Sequence, residues 1–316
     1  MTVTSHRTTQ LSTSLGGYRV PSSKATELDL AALELAPISL TELNARASLQ
    51  IRRDRKYILT THEAARFLRW LTGADDARVL EIHGMRSCHY DSTYFDTGAL
   101  DCYWMALQRN RHRFKVRIRT YHDSGQTFLE VKTKSASGHT VKNRIPWSQS
   151  APPFDLDAVP PSGRGFIERC LAGGYSTSGA FSPEYCPAPN SSRHSSQVSG
   201  LAPSLETRYR RTTIHLPGPN IRLTLDQDLR WSTSDGSLAS TSDRVIVETK
   251  SAGHSSYADR HLWAHGHRPL PSSKYATGIA LLHPELPRER WSRTIGQHLQ
   301  PAVAINTIAS QDKDIS

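Results

Sequence analysis

Between residues 111 and 119 a cation stands at every second position. Arg111, Arg113, Lys115, Arg117 and Arg119 alternate with His112, Phe114, Val116 and Ile118. On a β-strand successive side chains point to opposite faces, so this spacing puts the cations on one face and the apolar residues on the other. Neighbouring cations would sit about 6.7 Å apart. Their repulsion is roughly 2.5 kcal/mol per adjacent pair at an effective dielectric of about 20, and well under 1 kcal/mol in water. By itself the stripe therefore also suits a solvated sheet face.

Other segments repeat the pattern. In FLEVKTK, Glu130, Lys132 and Lys134 alternate with Leu129, Val131 and Thr133; in VKNRI, Lys142 and Arg144 share a face. Tyr209 and Arg211 lie on one face of RYRRTTI, with Arg208 and Arg210 on the other. Arg222, Thr224 and Asp226 align in IRLTLDQDL, and Glu248 with Lys250 in VIVETK. Lys and Arg donate to phosphate oxygens. The sparse carboxylates suit a divalent metal that bridges phosphates. No GxxxxGK[ST] loop is present to hold phosphates by the other common route.

The elements that must position these residues read mostly as strands. Runs at 55–59, 77–84, 89–97, 112–122, 126–135, 141–147, 205–216, 220–231 and 243–251 are bounded by Gly, Pro, Asn, Asp or Ser. THEAARFLRWLTG (61–73) has helical spacing, with Thr61 as the expected cap and Gly73 as the stop. Each strand needs its apolar face buried, and few helices are there to cover them. A closed barrel with charged faces inward satisfies every strand at once. Cations buried at this density need a multiply charged anion among them. The expected fold class is α+β: a closed antiparallel β-barrel, forming a tunnel, with a few flanking helices.

Composition narrows the setting. Lys+Arg 39 against Asp+Glu 29 gives a net charge of +10, which favours anionic partners. No apolar run reaches the roughly 18 residues of a membrane span, and the N-terminus lacks the apolar core of a secretory signal. Cys88, Cys102, Cys170 and Cys186 form no CxxC pair, against a disulfide framework or zinc site. The expected compartment is cytoplasmic. His261 and His265 lie four apart with no third ligand near, so a helix face is expected there. Asp96 is expected in a strand-end turn. Residues 1–45 read as a tail with two short helices around Pro37, 46–290 as the barrel domain, and 291–316 as a C-terminal tail. The Ser-, Gly- and Pro-rich stretch 173–204 reads as a disordered insertion.

Taken in order, nine pieces of the chain resemble the VTC domain, the polyphosphate polymerase branch of the triphosphate tunnel metalloenzyme (CYTH-like) superfamily. They are RRDRKYIL with Lys56, STYFDT (92–97), RFKVRIRTY (113–121), FLEVKTK (128–134), VKNR (141–144), RYRR (208–211), IRLTLD (221–226), VIVETKS (245–251) and SSKYATG (272–278). They span roughly residues 45 to 285. The resemblance implies a barrel tunnel in which ATP donates its γ-phosphate to a growing polyphosphate chain, with a divalent metal, Mn²⁺ or Mg²⁺. It implies catalytic phosphate contacts from Lys56, Arg117, Arg119, Lys132, Lys142, Arg222 and Lys274. Lys115, Lys134, Arg144, Tyr209, Arg211 and Lys250 would bind substrate. Glu248 would hold the metal, with Glu130 assisting.

Two departures bear on that reading. The 316 residues contain neither the phosphate-sensing SPX domain nor the membrane helices of the yeast-type members, so translocation of product would fall to a separate membrane partner. The ExExK opening of the hydrolytic tunnel enzymes is replaced by Arg52-Arg53-Asp54-Arg55-Lys56. Fewer carboxylates for metal and water activation favour a polymerase. A triphosphate or polyphosphate hydrolase on the same barrel and a non-catalytic polyphosphate- or nucleic-acid-binding module are the alternatives. Nucleic acid is not expected as a partner, because the stripe alternates with Val and Ile and carries carboxylates rather than interleaved aromatics.

Overall fold

The apolar halves of the alternating segments set the architecture. The computed structural model describes residues 25–46, 53–73, 76–134, 140–148, 159, 161–172, 198–218, 221–241, 243–251, 254–299 and 305–306. In chain order the elements are α1 (Glu27–Leu33), β1 (Ala36–Ile38), α2 (Leu40–Arg46), β2 (Arg53–Thr60), α3 (Thr61–Thr72), β3 (Arg78–Leu80) and β4 (Cys88–Asp96). Next come α4 (Asp101–Leu107), β5 (Lys115–Tyr121), β6 (Gln126–Lys134), β7 (Thr140–Pro146), α5 (Pro161–Leu171), β8 (Ala202–Leu216) and β9 (Ile221–Ser232). The chain continues through β10 (Ser237–Ser240), β11 (Arg244–Ser251), α6 (Tyr257–Ala264), α7 (Lys274–Leu282), α8 (Glu289–Thr294) and β12 (Ile305–Asn306).

An antiparallel arc runs β2-β11-β9-β8-β4-β5-β6-β7. Its outer face carries two cores. Leu28, Leu59, Leu68, Leu225, Val247 and Leu262 pack under α1, α3 and α6. Val116, Leu129 and Phe166 belong to the second, and the same cluster continues inside one end of the arc, where Trp231 shares a register row with Thr207, Ser92 and Arg119 and Tyr275 of α7 lies 5.4 Å from Tyr94. The fold is therefore α+β with the charged faces turned inward, but helices cover far more of it than the sequence pattern suggests.

The expected closed barrel is not formed: among the described residues β2 and β7 are not paired. The reason lies on the β2 edge. The Leu270 N–H donates to the Lys56 carbonyl at 2.8 Å, and Lys56 Nζ donates to the Ser272 carbonyl at 2.9 Å. The segment before α7 thus occupies the place of a closing strand. At the same end α7 enters the arc against Trp231 and Leu205. A Cβ on Gly278 would lie 2.2 Å from Trp231 Cδ1 and 2.8 Å from Leu205 Cδ2, so this approach requires glycine.

Other expectations shift locally. Helix α3 is capped by Thr60, not Thr61. Thr60 Oγ1 accepts from Glu63 N at 3.2 Å and the Glu63 carboxylate accepts from Thr60 N at 2.8 Å, a reciprocal capping box. Strand β5 starts at Lys115, because Asn110 organises a turn before it: His112 N donates to Asn110 Oδ1 at 2.8 Å, and Arg113 donates to the Asn110 carbonyl at 2.7 Å. The five-cation stripe is thus three cations on a strand, with Arg111 exposed in the turn. Part of the expected 173–204 insertion is packed, since Val198 and Leu201 are buried and β8 already begins at Ala202; residues 173–197 lie outside the described set. Likewise Trp291, Ile295 and Leu299 are core residues within the expected tail. Among the described residues no helix is long and apolar enough to cross a membrane.

Candidate active site

The arc encloses a cavity of about 990 Å³. Register builds its walls. Across β5, β6 and β7, Lys115 faces Lys132 and Lys132 faces Lys142; the next row is Arg117, Glu130 and Arg144. Across β8, β9, β11 and β2, Thr213, Thr224, Glu248 and Lys56 form a row, with Arg222, Lys250 and Asp54 beside it. Every expected site residue borders this cavity except Tyr209. Tyr209 is on the same inner face, registered with Tyr90, and is covered there: Lys274 Nζ lies 4.4 Å and the Arg211 guanidinium 5.3 Å from its ring centre.

Glu130, Asp226 and Glu248 differ in what holds them. Glu130 is fully buried; one oxygen accepts from Arg117 Nε at 2.8 Å and Nη2 at 2.5 Å, the other from Lys142 Nζ and from Tyr121 at 3.3 Å. Burial pushes its pKa up, but Arg117, Arg119 and Lys142 outweigh that and hold it well below the usual carboxylate range. Asp226 is engaged in the same way, by Arg211 Nε at 2.5 Å, Arg211 Nη2 at 2.8 Å and Lys274 Nζ. Glu248 pairs with Lys250 at 2.7 Å and lies among Lys56 and Lys132, which with Lys250 overcome burial and keep it ionised. Glu130 is thus a counter-ion with both oxygens occupied by cations, and its expected metal contact has no open oxygen in this arrangement.

The lysines carry the opposite strain. Burial, reinforced by Lys56 and Arg117, brings Lys115 down to about 7. Burial also lowers Lys142 to about 7 despite Glu130, and Lys274 to about 8 despite Asp226. Lys132 is depressed too, first by burial and then by Arg117. Like charges registered directly opposite are destabilising, so this wall is built for an anion to complete.

Several residues of the site escaped the sequence reading. Asp226 was visible only as part of an alternation, and nothing local identified Arg211 and Lys274 as its partners. Tyr94 accepts from Arg117 at 3.0 Å, and the Arg119 guanidinium lies 5.7 Å from the Tyr90 ring centre and 6.0 Å from that of Tyr121. Ser273 accepts from Lys115 at 2.5 Å. Asp96 is structural, as expected: it accepts from the Cys102 and Tyr103 N–H groups at the start of α4 and from the Tyr275 hydroxyl. His261 stacks on Trp70 at 3.7 Å on a helix face. Cys88, Cys102 and Cys170 are buried free thiols, while Cys186 lies outside the described residues.

No group of three or more His, Cys, Asp or Glu side chains converges on a metal position among the described residues. The donor set still fits a hard cation that arrives with phosphate, because such ions take one or two carboxylates and complete their shell with substrate oxygens and water. Glu248 is the carboxylate that fits this, since a single ammonium pairs with it rather than a guanidinium fork.

A channel walled by paired strands, with rows of cations and few open carboxylates, defines a protein built around a polyanion. The chain belongs to the VTC-domain family, whose family model matches residues 51–283. No match is found among curated protein sequences. Among solved structures, a candidate adenylate cyclase from Bacillus halodurans is 15% identical, with 72% of this chain and 96% of that chain covered and a TM-score of 0.41. A candidate adenylate cyclase from Vibrio parahaemolyticus is 12% identical over 73% and 98% of the two chains, at a TM-score of 0.38. A candidate adenylyl cyclase from Hippeastrum, described as having a dominant triphosphatase activity, is 13% identical over 72% and 94%, at a TM-score of 0.33.

Proposed function

We propose that the protein is a metal-dependent polyphosphate polymerase that transfers the γ-phosphate of ATP to a polyphosphate chain. Family membership supports an activity on polyphosphate or triphosphate. The observation that carries the finer reading is the state of the carboxylates: Glu130 and Asp226 are saturated by cations. Neither is free to take a proton from water. A terminal phosphate oxygen is already ionised and needs no base, so alignment and charge neutralisation suffice. The acceptor oxygen forms the new bond to the γ-phosphorus as the bond to the β-phosphate oxygen breaks, and ADP leaves with that electron pair.

On this reading Lys56, Lys132, Lys142, Arg117 and Arg119 hold the transferring phosphates against their mutual repulsion. Lys115, Lys134, Arg144, Arg222, Lys250 and Lys274 steer the rest of the polyanion. Arg211 is fixed by Asp226 and, with Tyr209, supports the wall. Glu248 would hold Mn²⁺ or Mg²⁺, which when bound would stabilise charge on the leaving diphosphate. The protein would act in the cytoplasm, with a separately encoded membrane protein moving the product, and without nucleic acid as a ligand.

One observation favours a hydrolase instead. An amine brought to about 7, as at Lys115 and Lys142, suits proton transfer from water. Incubation with ATP and Mn²⁺, with and without a short polyphosphate primer, separates the two on a gel. A ladder lost in Lys56→Ala and Glu248→Ala establishes the polymerase. Free phosphate without a ladder establishes the hydrolase, and tight polyphosphate binding without turnover leaves a binding subunit.

A further inference from the structure

A short piece of chain at the start of α7 meets the lysines of several cavity walls. Lys56 Nζ donates to the Ser272 carbonyl at 2.9 Å, Lys115 Nζ to Ser273 Oγ at 2.5 Å, and Lys274 Nζ to the Asp226 carboxylate. Ser272, Ser273 and Lys274 all line the cavity. Ser273 is held in place as the cap of α7: its Oγ accepts from Ala276 N at 3.2 Å, and its own N–H donates to Thr277 Oγ1 at 3.1 Å. The cap fixes the hydroxyl against Lys115. A hydroxyl has two lone pairs and one proton. If Lys115 and Ala276 both donate, the lone pairs are used, and nothing else among the described residues accepts the proton. A neutral amine at Lys115 would accept it. Burial, with Lys56 and Arg117 beside it, brings Lys115 to about 7, so that form is present at neutral pH. Thr140 also touches an amine, Lys134 at 2.9 Å, but it stands exposed at the start of β7.

We propose that Ser273 and Lys115 form a serine–lysine dyad through which the protein phosphorylates itself, Ser273 being the first phosphate acceptor when no primer is present. Lys115 Nζ takes the proton from Ser273 Oγ, the arrangement by which a neighbouring amine activates a serine. The oxygen forms its bond to the γ-phosphorus of ATP as the bond to the β-phosphate oxygen breaks, and ADP leaves with that electron pair. The products are phosphoserine, an ammonium at Lys115 and ADP. The new ammonium and Lys56, held at the adjacent Ser272 carbonyl, offset the charge of the phosphoseryl group. The first and later transfers therefore differ. A hydroxyl must lose a proton to attack, whereas the phosphoseryl oxygens are already ionised and accept the next phosphate without a base. The inference rests on the proposed phosphate-transfer reading and adds the residue on which a chain starts.

The test incubates the full chain with γ-labelled ATP and Mn²⁺ without primer, denatures it, removes unbound nucleotide and polyphosphate, and maps the label by mass spectrometry. The label should be stable to acid, released by alkali, and located on Ser273. Ser273→Asn keeps a capping side chain without the hydroxyl and should lose the label, while Ser273→Thr should retain it. Lys115→Arg keeps the charge but cannot accept a proton, and should slow labelling by about 10²-fold or more. A ladder or free phosphate with no protein-bound label, or label undiminished in Ser273→Asn, overturns the dyad and leaves the phosphate-transfer reading intact. Equal labelling rates in Lys115→Arg and the unsubstituted protein overturn the dyad by removing the amine's part. If the unsubstituted protein turns over no ATP at all, the phosphate-transfer reading fails and the dyad with it.

Discussion

Glu130→Gln distinguishes a counter-ion from a metal ligand. The substitution keeps the side chain's shape and removes its charge at a fully buried position. It strands Arg117, which donates twice to one carboxylate oxygen, and Lys142, which pairs with the other. Breaking a buried ion pair from one side costs about 3–5 kcal/mol. The lower end applies here, because Arg117 keeps its bond to Tyr94 and Lys142, already depressed to about 7, can shed its proton. A loss of about 3 kcal/mol lowers the melting temperature by about 6–12 °C in a domain of this size. Denaturant and thermal unfolding should show that loss without ligand. Saturating tripolyphosphate should narrow the gap, because the variant's more positive wall binds the anion more tightly and bound ligand adds to stability. The pH profile must agree. The Glu130 pKa is depressed in the fold, so its contribution is present above about 4.5 and is lost as pH falls through the folded value; the variant should lack that acid-side loss. Stability within 1 kcal/mol of the parent, together with lost metal dependence, would refute the counter-ion argument.

The remaining predictions concern metal, protons and packing. Glu248→Ala should abolish metal-dependent turnover while circular dichroism and melting stay near those of the parent, because its ion pair is with a lysine that can deprotonate; full activity would sink the metal assignment. Chelation should stop turnover but leave the melting temperature of the ligand-free protein unchanged, since no preformed metal cluster exists among the described residues. Lys115 and Lys274 stand at about 7 and 8 in the empty cavity. Polyphosphate binding at pH 8.5 should therefore take up protons, seen as a calorimetric enthalpy that varies with the buffer's ionisation enthalpy; independence of buffer would contradict the depressed lysines. For the same reason the ligand-free protein should gain stability as pH rises from about 7 toward the unfolded lysine value of about 10.4, because the unfolded state binds more protons there. Gly278→Ala drives a methyl group into Trp231 and should cost about 1–3 kcal/mol, checked by urea unfolding.

The alternation of residues 113–119, 128–134 and 245–251 was enough to orient the inner and outer faces, because period two is a local property of a strand. Register is not local. That Glu130 lies beside Arg117, or Asp226 within reach of Arg211 and Lys274, depends on which strands neighbour each other and on the tertiary placement of α7. The closing strand failed for a similar reason: residues 269–273 show no strand pattern, yet the Leu270 N–H reaches the β2 edge. The helices were undercounted where their apolar spacing is short. Helix α4 has seven residues, and its start is fixed by Asp96, a residue from the strand before it. Tyr90 and Tyr121 were legible as strand aromatics, but their place beside Arg119 came only from pairing β4 with β5.

The sorting of cations explains how so basic a wall can fold without its ligand. A guanidinium cannot shed its proton, so a buried arginine needs a permanent neighbour of opposite charge or a polarisable face. Arg117 has Glu130 and Arg211 has Asp226, while Arg119 donates to Ser92 at 3.0 Å and lies among the rings of Tyr90 and Tyr121. Arg144, by contrast, stands at the exposed rim over the Phe128 ring. An ammonium can shed its proton, and the positions registered lysine against lysine are among those where burial depresses the pKa. Arginines thus set a fixed positive frame, and lysines supply charge in proportion to the anion present. Exchanging the two types should separate these roles: Lys115→Arg places an undischargeable cation beside Lys56 and Arg117. It should destabilise the ligand-free protein more than the polyphosphate-bound one, and equal loss in both states would show that the lysines carry no adjustable charge.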